Sequence, residues 1–211
     1  MTVKAVLFDM GNTLIKYNNE PEEIFQKVLD SMGFSRSTEE IKEALSKTEQ
    51  EFESLHLQHL FGKIPSTEYW NKWNSTALKH LNILQNETLG RQVQDRWFDH
   101  LDWEAYPHAK ETLLRLKQMG LKTGLVTTAY EKEIDLILRG ASLQKRNFDV
   151  IVGADTIREV KPHPNVFRHA LRRLEVRPEE ALFVGDSIDA DYKAAECKNQ
   201  SSSGVKNNKQ H

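Results

Sequence analysis

Asp9, Thr127, Lys161 and Asp186 are the residues of this sequence best placed to do chemistry together. Three of them stand where short apolar blocks stop: Asp9 after residues 3–8, Thr127 at the end of 121–127, and Asp186 after 181–184. In an open parallel α/β sheet, ligands bind beyond the carboxyl ends of the strands, so blocks of this kind bring Asp9 and Asp186 together beside a small hydroxyl. Two carboxylates with a carbonyl or two suit Mg²⁺, a hard ion that takes few protein oxygens and keeps several waters. Lys161 sits in the loop before the next helix, held by Pro162 and Pro164. Carboxylate nucleophile, hydroxyl, ammonium and metal-binding carboxylate make a sensible set for phosphoryl transfer. They supply attack, oxygen anchoring, charge neutralisation and a metal bridge. Thr128 and Asn12 line the same loops and read more readily as structural, with Thr13 positioning the Asp9 turn.

The elements that must hold these residues follow from the apolar pattern. Residues 3–8 form a short apolar run stopped by Asp9-Met10-Gly11-Asn12-Thr13, which reads as a buried strand entering a loop. From about Asn18 to His100 helical periodicity replaces it. Ile24, Phe25, Val28, Leu29 and Met32 share one helical face, and Gly33 stops it. Ser37-Thr38-Glu39-Glu40 fits a capping box, followed by Ile41, Ala44, Leu45 and Phe52. Trp70, Trp73, Ala77 and Leu81 form a third stripe, and Leu89, Val93, Trp97 and Leu101 a fourth, so the block reads as a small bundle. After Tyr106-Pro107, helices at 109–119, 131–138 and 164–174 alternate with strands at 121–127, 148–152 and 181–184. That alternation implies a parallel sheet with right-handed crossovers. The expected architecture is therefore an α/β, Rossmann-like parallel-sheet core at 1–16 and 102–196 with an inserted helical-bundle cap domain at 17–101. The polar stretch 197–211 is expected to be a disordered tail, because its composition buries too little surface to order it.

Composition narrows the function. The chain has 211 residues, with Lys plus Arg at 29 against Asp plus Glu at 31, so no general nucleic-acid surface is suggested. One cysteine, Cys197, rules out an intramolecular disulfide and a cysteine-rich zinc site, which points to the cytoplasm. No apolar run approaches the ~20 residues that span a bilayer, and no signal peptide is evident. The expected partner is a small phosphorylated metabolite, with neither nucleic acid nor membrane involved.

Taken in order, the motifs resemble those of the haloacid dehalogenase-like hydrolase superfamily. They are Asp9-Met10-Gly11-Asn12-Thr13, then Thr127 closing Gly-Leu-Val-Thr-Thr, then Lys161-Pro162-His163-Pro164, then Gly185-Asp186-Ser187 with Asp191. Each is weak alone, whereas the ordered set over residues 4–195 is specific. The resemblance implies a phosphatase with a helical cap, in which Asp9 is the nucleophile that forms an aspartyl-phosphate. It implies that Thr127 and Lys161 hold the phosphoryl oxygens; Thr128, next on the same loop, is a further candidate substrate contact. It implies Mg²⁺ as cofactor, held by Asp9, the carbonyl of Gly11 and Asp186. Asp191 acts in or near that shell or supports the Ser187 loop.

The chain departs from the family pattern at two places. The family's phosphatases usually carry an Asp two residues after the nucleophile, where this chain has Gly11. That Asp protonates the leaving alcohol and then activates water, help typically worth ~10²–10⁴-fold. Glycine leaves three alternatives: substrates with good leaving groups, an acid borrowed from elsewhere, or a weak or inactive member that binds a phosphorylated ligand or protein partner. The family's dehalogenases also lack this Asp but work without metal, so the retained Asp186 favours the metal-dependent phosphatase. The second departure is the lack of a Gly and a further apolar strand after the fourth motif, which leaves the strand ending at Val184 at a sheet edge.

Other conspicuous residues carry blander readings. Trp70 and Trp73, at helical spacing in an apolar stripe, read as bundle core rather than a substrate platform. His56, His59, His163 and His169 form no known ligand pattern and read as surface or capping residues. Tyr17 and Asn18 begin the cap linker, where they could face the substrate.

Overall fold

The computed structural model describes residues 2–83 and 88–188, so Asp191, Cys197 and the expected tail lie outside the described residues. At its centre is β1 (Ala5–Phe8), an unbroken apolar strand buried on both faces. Such strands belong inside a parallel sheet covered by helices on either side. β1 pairs in parallel with β4 (Lys122–Val126) and with β6 (Ala181–Val184), and β4 pairs in parallel with β5 (Val150–Val152). The four-stranded sheet runs β5-β4-β1-β6. The α/β core with a parallel sheet is as the sequence implies.

Side-chain alternation along β1 divides the core into two layers. Val6 and Phe8 face α5 (Ala109–Gln118) and α6 (Glu131–Gly140), packing against Leu113, Ile134 and Leu138. Ala5 and Leu7 face α7 (Pro164–Leu174), against Val166, Phe167 and Leu171. Fully burying each of these larger side chains contributes about 1.5–3 kcal/mol.

The region between the first strand and the rest of the core is helical, and it has its own apolar centre. It holds α1 (Pro21–Ser31), α2 (Thr38–Ser54), α3 (Ser66–His80) and α4 (Leu89–Trp97), joined around Phe25, Leu29, Ile41, Leu78 and Val93. The expected capping box at α2 is present: Glu40 N donates to Ser37 Oγ at 3.2 Å, and Ser37 N donates to the Glu40 carboxylate at 2.8 Å. The α3 stripe differs from the expected one. Its buried residues include Tyr69, Asn74, Ala77 and Leu78, while Trp70 and Trp73 are half-buried. The helix packs against α2 and α4 on one side and the sheet core on another, so it hides more than one stripe.

The pattern also concealed a short antiparallel pair, β2 (Ile15–Tyr17) and β3 (Trp103–Ala105), on the two crossings between helical block and sheet core. An aromatic cluster fastens the two parts elsewhere. Phe61, Tyr69 and Trp70 pack edge-on around Tyr130, at centroid distances of 5.0 to 6.4 Å. The Tyr130 hydroxyl accepts a hydrogen bond from Gly62 N at 3.0 Å. A Cβ at Gly62 would collide with the Ala154 carbonyl, so glycine is what allows this close approach.

Among the described residues β6 is one edge of the sheet, with Leu182 and Val184 49% and 43% exposed. Among the described residues no helix is long and apolar enough to cross a membrane.

Candidate active site

The strand order brings the chemical residues together. β4, β1 and β6 are adjacent, so Thr127, Asp9 and Asp186, each just past a strand's carboxyl end, face one opening. Backbone pairing continues into this region. Asp9 N donates to the Val184 carbonyl at 2.9 Å, and Thr127 N donates to the Val152 carbonyl at 2.9 Å. Thr127 Oγ1 accepts from Ala129 N at 3.1 Å, which fixes its side chain at the start of the loop into α6. Lys161 comes from the segment between β5 and α7, and its Nζ lies 2.5 Å from Asp9 Oδ1. Both side chains are buried, 3% and 10% exposed, so this pair is shielded from the solvent that weakens surface ion pairs. The Lys161 ammonium also stands 5.8 Å from the Phe183 ring centroid.

Gly11, Asn12, Thr128 and Ser187 line the same cavity, of about 960 Å³. Asp186 is exposed at its floor and makes no ion pair or hydrogen bond with another described residue. Thus Asp9, Gly11, Thr127, Thr128, Lys161 and Asp186 share one cavity.

The cavity's upper wall comes from the helical block and the linker. Tyr17 lines it, as do Phe61, Trp70 and Trp73, so the two tryptophans combine packing with exposure to the cavity. Asn18 is instead held by its backbone, its N–H donating to the Asp102 carbonyl at 2.9 Å. The Tyr17 ring occupies the space above position 11: a Cβ there would meet Tyr17 Cε2 at 3.1 Å. Burial, reinforced by the Asp9 charge, raises the Tyr17 phenol above its ordinary value. His163 accepts from Asn165 N at the start of α7, a capping role.

Glu133 was not singled out by sequence. It is buried in the first turn of α6 and lines the cavity, as does Ile137 one helical turn on. Burial pushes its carboxyl up to about 7, an effect that Lys132 and the nearby Ser66 hydroxyl reduce. In sequence it looks like any acidic residue at a helix start, which the helix dipole favours. Only the fold places it under α3, away from water.

Residues 3–197 match the haloacid dehalogenase-like hydrolase family. The chain belongs to that family. Pyrophosphatase PpaX of Bacillus mycoides is 31% identical over 187 residues, covering 89% of this chain and 76% of that protein. A phosphatase of the haloacid dehalogenase-like family from Thermococcus onnurineus superposes with a TM-score of 0.59 at 25% identity, over 99% of this chain and 89% of that one. The 2-haloacid dehalogenase of Pseudomonas syringae superposes with a TM-score of 0.65 over 93% of this chain and 84% of that one. At 19% identity that likeness concerns the fold alone. This haloacid dehalogenase-like hydrolase therefore has a fold on which both phosphatases and dehalogenases are built, and its substrate class must be argued from the site.

Proposed function

We propose that this hydrolase is a Mg²⁺-dependent phosphatase acting on a small phosphate monoester in the cytoplasm. The observation that carries the reading is the meeting of Asp9, Thr127, Lys161 and Asp186 in one cavity, with Lys161 Nζ 2.5 Å from Asp9 Oδ1. The phosphatase names of curated relatives support phosphoryl chemistry over dehalogenation. The donor chemistry fits the ion. Asp9, Asp186 and the Gly11 carbonyl offer hard oxygens, and no group of three or more His, Cys, Asp or Glu competes for a softer metal among the described residues. Asp191 is a further candidate ligand. Bound there, Mg²⁺ would supply positive charge to the phosphoryl oxygens.

The chain's own residues then act in sequence. One Asp9 oxygen attacks phosphorus and the ester oxygen departs, leaving an aspartyl-phosphate. The Thr127 hydroxyl and Lys161 ammonium hold the non-bridging oxygens, with Thr128 at the exposed side. Lys161 offsets the Asp9 charge, so an anionic substrate can approach an anionic nucleophile. Water then attacks the same phosphorus, releasing inorganic phosphate and restoring Asp9. The helical block over the cavity would act as a cap that excludes bulk water and limits the substrate to small esters.

A second reading, binding of a phosphorylated ligand without turnover, draws on Gly11. Hydrolysis of p-nitrophenyl phosphate separates the two, since its good leaving group needs little acid help. Mg²⁺-dependent turnover lost in Asp9→Asn is the expected result. No turnover above Asp9→Asn in folded protein would favour the binding reading.

A further inference from the structure

An alkyl phosphate does not release its alkoxide unless something gives that oxygen a proton, and glycine at position 11 gives none. The cavity offers few candidates. Asp9 is engaged as nucleophile with Lys161, and Asp186 is an exposed floor carboxylate. Glu20 is exposed and engaged as the N-cap of α1, Glu22 is paired with Lys42, and Glu49 is exposed on α2. The Tyr17 phenol, raised above its ordinary value, holds its proton too tightly to return as a base near neutral pH. Glu133 differs from all of these. It is only 8% exposed, and its Oε1 completes no hydrogen bond with a described residue. The Ser66 hydroxyl stands beside this carboxyl at the junction with α3, and Trp70 Nε1 on the same helix is buried without a hydrogen-bond partner among the described residues. A buried carboxyl with one oxygen left unbonded is costly and calls for an explanation in terms of a ligand or a reaction.

We infer that Glu133 is the general acid–base of this enzyme, standing in for the side chain that position 11 lacks. As Asp9 attacks phosphorus, the Glu133 carboxylic acid gives its proton to the departing ester oxygen, which leaves as a neutral alcohol. The resulting Glu133 carboxylate takes a proton from the water that attacks the aspartyl-phosphate, so phosphate is released and the acid is regenerated. Protons balance over the cycle, and no co-reactant beyond water is needed. A group titrating near neutral pH suits both halves of this cycle. The charges that set its titration are Lys132 on its own helix and Asp155 beside the start of that helix, while Asp9 and Lys161 line the same cavity.

The inference rests on the phosphatase reading, and the experiment keeps the two apart. Glu133→Gln and Glu133→Asp are compared with wild type on ethyl phosphate and p-nitrophenyl phosphate, with Mg²⁺ present. Glu133→Gln should lower kcat/KM for ethyl phosphate by ~10²-fold or more, with partial recovery in Glu133→Asp. For p-nitrophenyl phosphate, kcat/KM should fall far less. Its kcat should fall, with a burst of p-nitrophenolate, because the phospho-Asp9 now waits for water without its base. In wild type, kcat/KM for ethyl phosphate should decline as pH rises through about 7, a limb absent from Glu133→Gln. Equal losses on both esters, no loss on either, or a wild-type profile without that limb would overturn the assignment while the phosphatase reading stands. A wild type inert on both esters would overturn the reading itself.

Discussion

Asp9, Thr127 and Asp186 stand past the ends of three adjacent strands tied by backbone pairing, whereas Tyr17, Trp70 and Glu133 reach the same cavity from a linker strand and two helices held by side-chain packing. The floor is set by peptide hydrogen bonds that almost any apolar strand sequence can make. The wall is set by which aromatic ring meets which, and by a hydroxyl reaching a glycine N–H. The difference separates two functions. In the proposed reaction the backbone-defined floor carries the phosphoryl chemistry, and the packing-defined wall shapes what reaches it.

Changes on the floor should have the largest effects. Asp186→Ala should lower Mg²⁺-dependent turnover by about 10³-fold, corresponding to the several kcal/mol a metal contributes, with thermal stability nearly unchanged because the residue is exposed. A comparable loss in Trp70→Ala would erase the contrast between floor and wall. Next comes Glu133, through stability. Its folded-state pKa is raised from 4.5 to about 7, so the native state holds its proton more tightly than the unfolded chain does. Stability is therefore lost as pH rises through that window, by on the order of 1–3 kcal/mol. Glu133→Gln should abolish this dependence and melt higher than wild type at pH 8 but not at pH 4. A variant that melts lower at both would contradict a carboxyl destabilised by burial.

Smaller effects sharpen the comparison at the junction and the edge. Tyr130→Phe removes the acceptor for Gly62 N and should cost about 1 kcal/mol, read as a shift in denaturation midpoint. Because Phe61 and Trp70 pack on the same ring, it should also change KM more than kcat. Leu182→Thr, on the exposed edge strand, should move stability by less than about 0.5 kcal/mol. A loss of several kcal/mol there would mean that the edge is covered in solution.

The floor was legible in the sequence because each of its residues follows an apolar block with its own stop signal. Residues 5–8, 122–126 and 181–184 are strands, and Asp9, Thr127 and Asp186 follow them. The α2 capping box was equally local, since Ser37 and Glu40 satisfy each other within one turn. The β2–β3 pair was hidden because three-residue strands are too short to show alternation, and their partners lie far apart in sequence. Helical spacing makes Trp70 and Trp73 core residues, and they do pack with Phe61 and Phe52, but periodicity gives no sign that their other faces meet a cavity. Glu133 was silent for the same reason. Its carboxyl is unusual only once α3 covers it, and no spacing within the sequence encodes that covering.

Phosphorus is expected to pass through Asp9, and trapping the phosphorylated enzyme tests this most directly. Folded protein would be mixed with p-nitrophenyl phosphate and Mg²⁺, quenched in acid during turnover, digested and measured by mass spectrometry. A phosphoryl group on the peptide carrying Asp9, labile to hydroxylamine and absent from both Asp9→Asn and the metal-free sample, is the predicted result. Turnover without any adduct, or an adduct that persists in Asp9→Asn, would contradict the account.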